Sequence, residues 1–389
     1  MTAGKQAMAE PDIDVLIVGA GIQGLTLARE AIRRGRRPLV VDRHAVGTGA
    51  SGNSLNILHG GLRYLQSADI GRWRRSRQAQ RWFLDHWPEH VAPLRCTMPL
   101  YRGALRSSAA FRAAFLADRG LSAIAEPKAP ALNGRISPAS AVLAQFAVPT
   151  RGLTGAAQWN ELSVVRPTEL LRRIADAVVA DGGVVATATS VLDITIDGAG
   201  VLALTVDHAG SQVRTAREAI VCAGTATDAI VAQIDSGAPR NDRPILAFNL
   251  LFDHPFPAAT ALAVSEHPGR GRSYFLRAED GLTLAGTWYL PAPEVDDTFD
   301  TAVPAREIST FAKLIGRAYP PLEGAAIAAV RAGLLPGNGP HGTKLSDRDR
   351  HLDHGPLDAA SSIHSLVGTK LTTAPILSQT LADRLWGPA

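Results

Sequence analysis

The fold is decided by residues Asp14 to Asp42, DVLIVGAGIQGLTLAREAIRRGRRPLVVD. The run Asp14–Val18 is apolar after its first residue and ends in glycines, which is typical of a strand buried on both faces of a parallel sheet. Leu25–Arg34 has helical periodicity and stops at Gly35, and Pro38–Val41 has the composition of the next parallel strand. The stretch therefore predicts one βαβ unit.

The turn between this strand and helix has the pattern GxGxxG. Its residues are Gly19, Ala20, Gly21, Ile22, Gln23 and Gly24. The glycines permit a tight turn, close approach of the backbone to a pyrophosphate and close packing of helix on strand, while the helix N-terminus offers N–H groups to the anion. Asp42 follows about 20 residues on, where its carboxylate can accept a hydrogen bond from a ribose hydroxyl. The pattern predicts a dinucleotide site and leaves FAD and NAD equally open.

Further along the chain, strand and helix signals recur in patches. Thr168 can cap a helix that runs to Ala180, and Val184 begins a strand-like run after a glycine turn. Glu218–Cys222 predicts a third strand, and Pro244–Leu290 holds alternating runs typical of antiparallel strands. The pattern predicts a discontinuous nucleotide domain with a β-rich domain inserted.

Composition excludes several classes of protein. The 389 residues are 46% hydrophobic and 20% charged, and no apolar run is long enough for a membrane helix. The first dozen residues lack the apolar core of a secretory signal, so we expect a cytoplasmic protein. Two distant cysteines, Cys96 and Cys222, form no disulfide framework, and the C-terminal histidines match no zinc pattern, so we expect no metal. The net charge of +4 is carried mainly by arginine without a nucleic-acid-binding motif, so we expect no nucleic-acid partner.

Residues 72–87 interleave arginines with aromatic side chains. The spacing predicts an amphipathic helix that packs its aromatics inward and places its arginines in water. The alternative is peripheral contact of this basic face with anionic lipid.

A second glycine string, His59-Gly60-Gly61-Leu62-Arg63-Tyr64, follows a small, hydroxyl-rich loop. This string, the N-terminal unit and the C-terminal end resemble the flavin-dependent glycerol-3-phosphate dehydrogenases of the D-amino-acid-oxidase-like superfamily. Gly368 to Thr373, GTKLTT, is similar to the family's GGKLTT segment beside the flavin ring. The strings that contain Arg331 and Arg348 are similar to the family's VRPL and RDYTLD. The resemblance implies FAD as the cofactor and an oxidoreductase activity.

The resemblance also implies a set of cofactor contacts. Ala223-Gly224 fits the superfamily's turn after the third strand, and Val191 fits the strand position whose backbone meets adenine. The full predicted set is Gly19, Ala20, Gly21, Ile22, Gln23, Gly24, Asp42, Arg43, Ser51, Gly52, Ser54, His59, Gly60, Gly61, Val191, Ala223, Gly224, Gly368, Thr369, Lys370, Leu371 and Thr372.

Three features depart from the family pattern. The serine-rich loop is reduced, so that Asn56 replaces the family's lysine, and the GTTD motif becomes Gly286-Thr287-Trp288-Tyr289. The chain also stops soon after GTKLTT, from which we expect the helical C-terminal domain of many members to be lacking. These changes leave FAD binding intact and the substrate open.

Oxidation of an alcohol or amine requires a group that takes the O–H or N–H proton and anchors for the rest of the substrate. The candidate catalytic residues are His59, Arg63, Arg331, Arg348 and Lys370. His59 is either the proton acceptor or a histidine packed against the cofactor. The three arginines suit a phosphate or carboxylate, and Lys370 suits negative charge on reduced flavin or on the substrate.

We therefore predict an α/β protein with a Rossmann-like, discontinuous FAD-binding domain and an inserted α+β substrate domain built on an antiparallel sheet. The predicted FAD-binding domain comprises residues 12–92, 150–243 and 330–389. The predicted substrate domain comprises residues 93–149 and 244–329, and residues 1–11 form a disordered tail.

The predicted function is hydride transfer from a C–OH or C–NH₂ carbon of a small anionic substrate to FAD, with glycerol-3-phosphate first by resemblance. An amine, amino acid or 2-hydroxy acid is the alternative substrate. An NAD(P)-dependent dehydrogenase and a flavin-binding protein without turnover are the competing hypotheses. Quinone, oxygen or a protein carrier can each be the electron acceptor.

Overall fold

The structure is a computed structural model that describes residues 13–104, 106–197, 200–234, 237, 242–293, 301–338, 344–355 and 362–389. The predicted tail at residues 1–11 lies outside these ranges. The described helices are α1 (Ile22–Arg33), α2 (Leu62–Leu65), α3 (Ile70–His86), α4 (Ser108–Ala125), α5 (Ala139–Leu143), α6 (Pro167–Ala180), α7 (Thr227–Val231), α8 (Ala305–Ala318) and α9 (Ala374–Trp386). The described strands are β1 (Ile13–Val18), β2 (Pro38–Val41), β3 (Ile57–Leu58), β4 (Val91–Tyr101), β5 (Arg135–Pro138), β6 (Leu153–Val164), β7 (Val184–Ala186), β8 (Ser190–Asp197), β9 (Gly200–Asp207), β10 (Gly210–Val221), β11 (Asp242–Phe252), β12 (Thr260–His267), β13 (Arg270–Glu279), β14 (Leu282–Pro291), β15 (Ile327–Asn338), β16 (Lys344–Leu345), β17 (Arg350–Asp353) and β18 (Ser362–Val367).

The chain divides into two units. The first unit comprises residues 1–52, 171–245 and 335–389, and the second comprises residues 53–170 and 246–334. The sequence predicts residues 53–92, 150–170 and 330–334 in the nucleotide-binding part, but they fall in the second unit. Residues 53–92 and 150–170 belong there because β3 and β4 both pair with β6, which joins these segments to one sheet.

The first unit is built on a sheet with the strand order β17-β18-β10-β1-β2-β7. Strands β10, β1 and β2 are parallel neighbours, and β18 and β7 extend the parallel run on either side. Every residue of β2 is buried, as are the last four residues of β1, which explains their uniformly apolar composition. The predicted βαβ unit is confirmed, although α1 begins at Ile22, directly after the glycine turn.

One local prediction, the start of helix α6, was wrong. Thr168 does not cap α6, because the helix already begins at Pro167, whose fixed φ and missing N–H suit a first helical position. The strand predicted to begin at Val184 is confirmed as β7, which ends at Ala186, and β8 then pairs antiparallel with β9. That hairpin brings Val191 opposite Thr205.

The second unit is built on a larger sheet with the strand order β15-β11-β14-β13-β12-β4-β6-β3, to which β5 adds beside β6. Its core contains aromatic side chains of the sheet and of α8, among them Phe248, Tyr274 and Phe311. Most pairings whose register is resolved are antiparallel, as predicted, but β12 runs parallel to β4. No local pattern predicts this pair, because its two strands lie far apart along the chain.

Candidate functional site

At two positions, the glycine turn of the first unit has no room for a side chain. Gly19 adopts a φ of +113°, and a Cβ there would lie 2.6 Å from the carbonyl oxygen of Cys222. A Cβ on Gly24 would lie 1.9 Å from the carbonyl oxygen of Gly19. The turn is therefore closed by backbone against backbone, and only glycine fits.

Asp42 and Ser51 hold the outer face of this turn. The Asp42 carboxylate accepts hydrogen bonds from the backbone N–H of Ala20 at 2.7 Å and of His44 at 2.8 Å. Ser51 Oγ accepts one from the N–H of Ile22 at 3.1 Å. Because a carboxylate has about four acceptor positions, Asp42 keeps capacity for a ribose hydroxyl.

The end of β10 lies directly against the glycine turn. Val221 is the register partner of Val18, so the two parallel strands end at the same edge of the sheet. Ala223 and Gly224 follow at once, and a Cβ on Gly19 would lie 3.1 Å from the Cα of Ala223. Val191 is half-buried on β8 and packs against the apolar core of this unit. In open α/β sheets, ligands bind outside the carboxyl ends of the strands, where these segments meet.

The C-terminal motif joins the same turn from the far end of the sequence. Gln23 Nε2 donates to Ser378 Oγ at 2.6 Å and to the carbonyl oxygen of Ala374 at 3.3 Å, which ties α1 to α9. A Cβ on Gly368 would lie 2.7 Å from Gln23 Oε1. Asp349 Oδ1 accepts from the N–H of Thr369 at 2.9 Å and from its hydroxyl at 3.0 Å. The loop before α9 is thus fixed on both sides.

The remaining predicted residues of the first unit surround these contacts. Lys370 and Leu371 are half-buried, Thr372 is buried, and Gly52 is buried after Ser51. Arg43 and Arg348 are exposed. Arg348 precedes Asp349, so the predicted anchor and the residue that fixes the loop are neighbours.

The first unit fits the nucleotide end of a dinucleotide. Helix α1 begins at Ile22, directly after Gly21, so the positive end of the helix dipole points at the glycine turn. A Cβ at Gly21 would already lie 3.2 Å from Ser51 Oγ. An anion such as a pyrophosphate is the group that this backbone favours.

The second unit contains the other glycine string, His59-Gly60-Gly61, between β3 and α2. Gly61 adopts a φ of +88°, and a Cβ there would lie 2.9 Å from the Cα of Trp73. A Cβ on Gly60 would lie 2.8 Å from Gln80 Oε1. Glycine is required at position 61, where a Cβ would meet the α3 backbone, whereas at position 60 a Cβ would meet only side chains.

A buried glutamate that the sequence analysis missed lies beneath this turn. Glu161 of β6 accepts from the N–H of Gly60 at 2.6 Å, from Gln80 Nε2 at 2.9 Å and from Trp159 Nε1 at 2.8 Å. Its Oε1 atom lies 3.4 Å from His59 Nδ1. The His59 ring is partly exposed and stands 5.4 Å from the Phe275 ring, centroid to centroid. Glu161 therefore holds both the backbone of the turn and the imidazole.

Two of the predicted arginines lie in the second unit. Arg63 is exposed, with its guanidinium 5.3 Å from the centroid of the Tyr64 ring. Arg331 is bound to the buried carboxylate of Glu279, which also accepts from Asn56 Nδ2 at 3.1 Å. Asn56, at the position where the family pattern has a lysine, thus donates a hydrogen bond to Glu279. Ser54 Oγ donates to Asn56 Oδ1 at 2.8 Å and completes the group.

Helix α3 follows its predicted pattern with one exception. Trp73 and Phe83 are fully buried, and Arg81 pairs with Asp85 at the surface. Arg77 was predicted to face water and is instead fully buried. None of the helices in the described ranges is long and apolar enough to span a membrane.

Sequence signals for the missed residues were weak but present. Glu161 is the single acid in the sequence of β6, LTGAAQWNELSV, and Glu279 is the single acid in that of β13, RGRSYFLRAE. A buried acid in such a strand needs donors around it, which points to a network without saying which residues supply it. Among the described residues, no group of three or more His, Cys, Asp or Glu side chains could hold a metal ion.

The parallel sheet, its glycine turn and the anion-favouring helix end define a dinucleotide-binding protein. The chain matches the family model described as FAD dependent oxidoreductase over residues 14–384. It therefore belongs to the FAD-dependent oxidoreductase family, its cofactor is FAD rather than NAD(P), and it is an oxidoreductase.

Individual relatives place the chain within this family. Glycerol-3-phosphate dehydrogenase 1 of Mycobacterium bovis is 31% identical over 195 residues, which is 47% of this chain and 36% of that protein. The match thus spans about a third of that curated relative. The glycerol-3-phosphate dehydrogenase from Bacillus halodurans complexed with FAD superimposes with a TM-score of 0.66 at 18% identity, covering 97% of this chain and 65% of that chain. Glycine oxidase from Geobacillus kaustophilus gives 0.70 at 18% identity, covering 95% of this chain and 94% of that one. The fold is therefore shared by enzymes of different named substrates.

Proposed function

We propose that this protein oxidises the alcohol carbon of a small anionic substrate, with glycerol-3-phosphate as the first candidate. The names of the curated relatives and the HGGLRYL string support this choice. When bound, FAD supplies the hydride acceptor at N5. The chain must supply a proton acceptor for the hydroxyl and positive charge for the anion.

The contact between His59 and Glu161 carries this proposal. With Nδ1 protonated and directed at the Glu161 carboxylate, the imidazole has Nε2 free to accept a proton from a hydroxyl. Glu161 keeps the ring in this tautomer and stabilises the imidazolium that forms, which is the role of the carboxylate in histidine-based triads. His59 is thus the proposed base and Glu161 its positioning residue.

Each unit has its own candidate side chains for an anion. In the second unit Arg63 is exposed, whereas much of the charge of Arg331 is offset by Glu279. In the first unit Lys370 lies in the loop that Asp349 fixes. Arg348 directly precedes Asp349 in the sequence. Within the second unit we propose Arg63 as the main anchor for the anion and Arg331 as a secondary one, whereas Lys370 and Arg348 are the predicted cationic residues of the first unit.

The ion pair between Arg331 and Glu279 favours a second class of substrate. A phosphate dianion needs more positive charge than a carboxylate, and the Glu279 contact removes part of that charge. An amino acid, an amine or a 2-hydroxy acid therefore stays the alternative. The electron acceptor is proposed to be a quinone, oxygen or a protein carrier, and lipid contact through residues 72–87 is testable by vesicle flotation.

Anaerobic titration of the FAD-loaded protein distinguishes these substrates. Glycerol-3-phosphate should bleach the flavin absorption near about 450 nm, whereas glycerol, which lacks the phosphate, should not at the same concentration. Lactate, glycine and proline form the second arm of the same panel. Bleaching by one of these and not by glycerol-3-phosphate would replace the first candidate with the alternative. Flavin that none of the panel reduces would contradict both substrate proposals.

A further inference from the structure

Helix α4 packs one face into the second unit and exposes an apolar face. Phe111 and Phe115 are buried, and the Phe111 ring stacks on that of Trp159 with 6.0 Å between the centroids. The exposed positions of the helix hold only alanine, glycine, leucine and isoleucine, apart from Arg112 and Arg119. A surface helix usually turns charged and polar side chains outward. The outward face of α4 therefore has the composition of a contact surface.

Two large apolar side chains stand out on this face. Leu116 is 69% exposed and Ile124 is 86% exposed. They are eight residues apart, which is about two helical turns, so they lie on the same side of the helix. The exposed residues beside them are small, among them Ala113, Ala117 and Gly120. Both large side chains can thus enter an apolar phase, which is favourable for each of them.

The segment around this face carries positive charge without exposed acids. Residues 106–151, all of which the structure describes, contain two carboxylates, Asp118 and Glu126, and both are buried. The same residues contain six cations, of which five are exposed: Arg112, Arg119, Lys128, Arg135 and Arg151. Three of these arginines, at positions 112, 119 and 135, line one cavity of about 480 Å³ together with Leu116. The apolar face and the cations therefore border each other.

The arginines of α3, the helix whose basic face the sequence indicates for lipid contact, are largely offset. Arg77 is buried, and three others form ion pairs with carboxylates. The pairs are Arg72–Asp69, Arg74–Glu126 and Arg81–Asp85. A cation beside a carboxylate attracts a second anion less strongly than a cation that has none beside it. Helix α4 is therefore the stronger candidate for contact with an anionic surface.

The charge also decides which kind of partner fits the face. A symmetric dimer would place the same face on both copies, so the arginines of one copy would meet those of the other. Like charges brought together cost free energy, and residues 106–151 have no exposed acid with which to offset them. An anionic bilayer offers both complements, phosphates for the cations and acyl chains for Leu116 and Ile124.

We propose that the exposed face of α4 docks on an anionic lipid bilayer, with the helix axis in the plane of the membrane. Leu116 and Ile124 enter the boundary between headgroups and acyl chains, and Arg112 and Arg119 meet the lipid phosphates. This docking rests on none of the residues proposed for the substrate chemistry.

Vesicle flotation of the FAD-loaded protein tests the docking with two lipid compositions. One is phosphatidylcholine alone, and the other is an equal mixture of phosphatidylcholine and phosphatidylglycerol. The protein should float with the anionic vesicles and stay in solution with the neutral ones. Salt at about 1 M should release it, because charges are then screened beyond about 3 Å.

Two double variants separate the contributions of charge and of apolar side chains. Arg112→Gln with Arg119→Gln should lower the vesicle partition coefficient about 30-fold, since each basic side chain near an anionic surface strengthens binding about fivefold. Leu116→Gln with Ile124→Gln keeps the charge and should lower the coefficient at least about tenfold.

Two controls use surface arginines elsewhere. Arg172→Gln with Arg173→Gln removes the same charge from exposed positions of α6 and should leave the partition coefficient unchanged. Arg75→Gln with Arg81→Gln tests α3 and should lower the coefficient less than the arginine changes on α4 do. Every substituted side chain is at least partly exposed, and equal FAD content after purification checks that each variant is folded.

The proposal is overturned if the protein binds neither kind of vesicle, or binds both equally. It is also overturned if the α4 variants float like the wild type, or if the loss is confined to the α3 variant. Size-exclusion chromatography with light scattering tests the remaining occupant, a second copy of the chain. A dimer that Leu116→Gln with Ile124→Gln converts to monomer, without vesicle binding, would assign the face to that second copy and overturn the lipid assignment.

Discussion

The two glycine turns of this protein are held in different ways. In the first unit, Gly19 and Gly24 are fixed by close approach of backbone to backbone, and the carbonyl oxygens of Cys222 and Gly19 occupy the space of any Cβ. In the second unit, the turn at Gly60 and Gly61 is held by side chains, above all by the buried carboxylate of Glu161. The first turn therefore requires that Gly19 and Gly24 have no side chain. The second turn requires particular side chains of its neighbours, such as that of Glu161.

This difference separates cofactor binding from chemistry in the proposed function. Substitutions at the first turn should remove FAD from the protein. Substitutions beneath the second turn should leave FAD bound and slow its reduction. If substitutions at either turn changed FAD binding and the rate of FAD reduction together, this separation would be contradicted.

The largest effect is expected for Gly24→Ala. Alanine usually stabilises a helix relative to glycine by about 1 kcal/mol, but here its Cβ would lie 1.9 Å from the carbonyl oxygen of Gly19. The forced shift should cost about 3 kcal/mol and abolish FAD binding. The ratio of flavin to protein absorbance after purification measures it. Gly49→Ala is the control, since nothing lies within 4 Å of its Cβ position. Full flavin occupancy in Gly24→Ala would show that the turn adapts.

Glu161→Gln should leave FAD bound and lower the rate of flavin reduction about 100-fold, because the neutral amide neither stabilises an imidazolium at His59 nor accepts from all of its present donors. Stopped-flow reduction at equal FAD occupancy measures the rate. Glu169→Gln, at a surface ion pair, is the matched control.

A double variant distinguishes a positioning role from a structural one. If Glu161 acts through His59, the variant His59→Ala with Glu161→Gln should be no slower than His59→Ala alone. If the two substitutions instead lowered the reduction rate by factors that multiply in the double variant, Glu161 would only stabilise the structure of the turn.

Arg331→Met should destabilise the second unit by about 2 kcal/mol, because it leaves the Glu279 carboxylate buried without its closest cation. The midpoint of urea unfolding measures this change. Adding Glu279→Gln should restore only part of the loss, since a neutral amide needs no cation but buried Arg277, whose Nη1 lies 3.9 Å from Glu279, then loses its ion pair. If the two losses simply added, Arg331 and Glu279 would not be coupled.

The last effect concerns pH and the first unit. Burial lowers the pKa of His351 from 6.5 to about 4, and it also lowers the pKa of His364 on the neighbouring strand. Between pH 6.5 and about 4 the unfolded chain binds protons that the folded chain does not, so stability should fall as the pH falls through this window. Melting temperatures measured across it should drop less in His351→Phe than in the control His208→Gln, whose histidine is exposed. Identical pH profiles would remove His351 from the explanation.

The two turns also differ in how far the sequence predicted them. The strand, turn, helix and strand from Ile13 to Val41 follow from local periodicity and glycine spacing, because each requirement lies within one short segment. Glu161 lies about a hundred residues from His59, and its importance depends on the pairing of β3 with β6, which no local pattern encodes. Arg77 was misjudged for the same reason, since its burial depends on what covers α3. The contacts of Arg331 with Glu279 likewise required the structure.

The most direct test of the central claim is anaerobic stopped-flow reduction by the best substrate of the panel, in wild type and in Glu161→Gln, with both proteins fully loaded with FAD. The wild type should bleach near about 450 nm, and the variant should bleach about 100-fold more slowly with its FAD retained. Equal rates in the two proteins would contradict the proposed role of the His59–Glu161 pair.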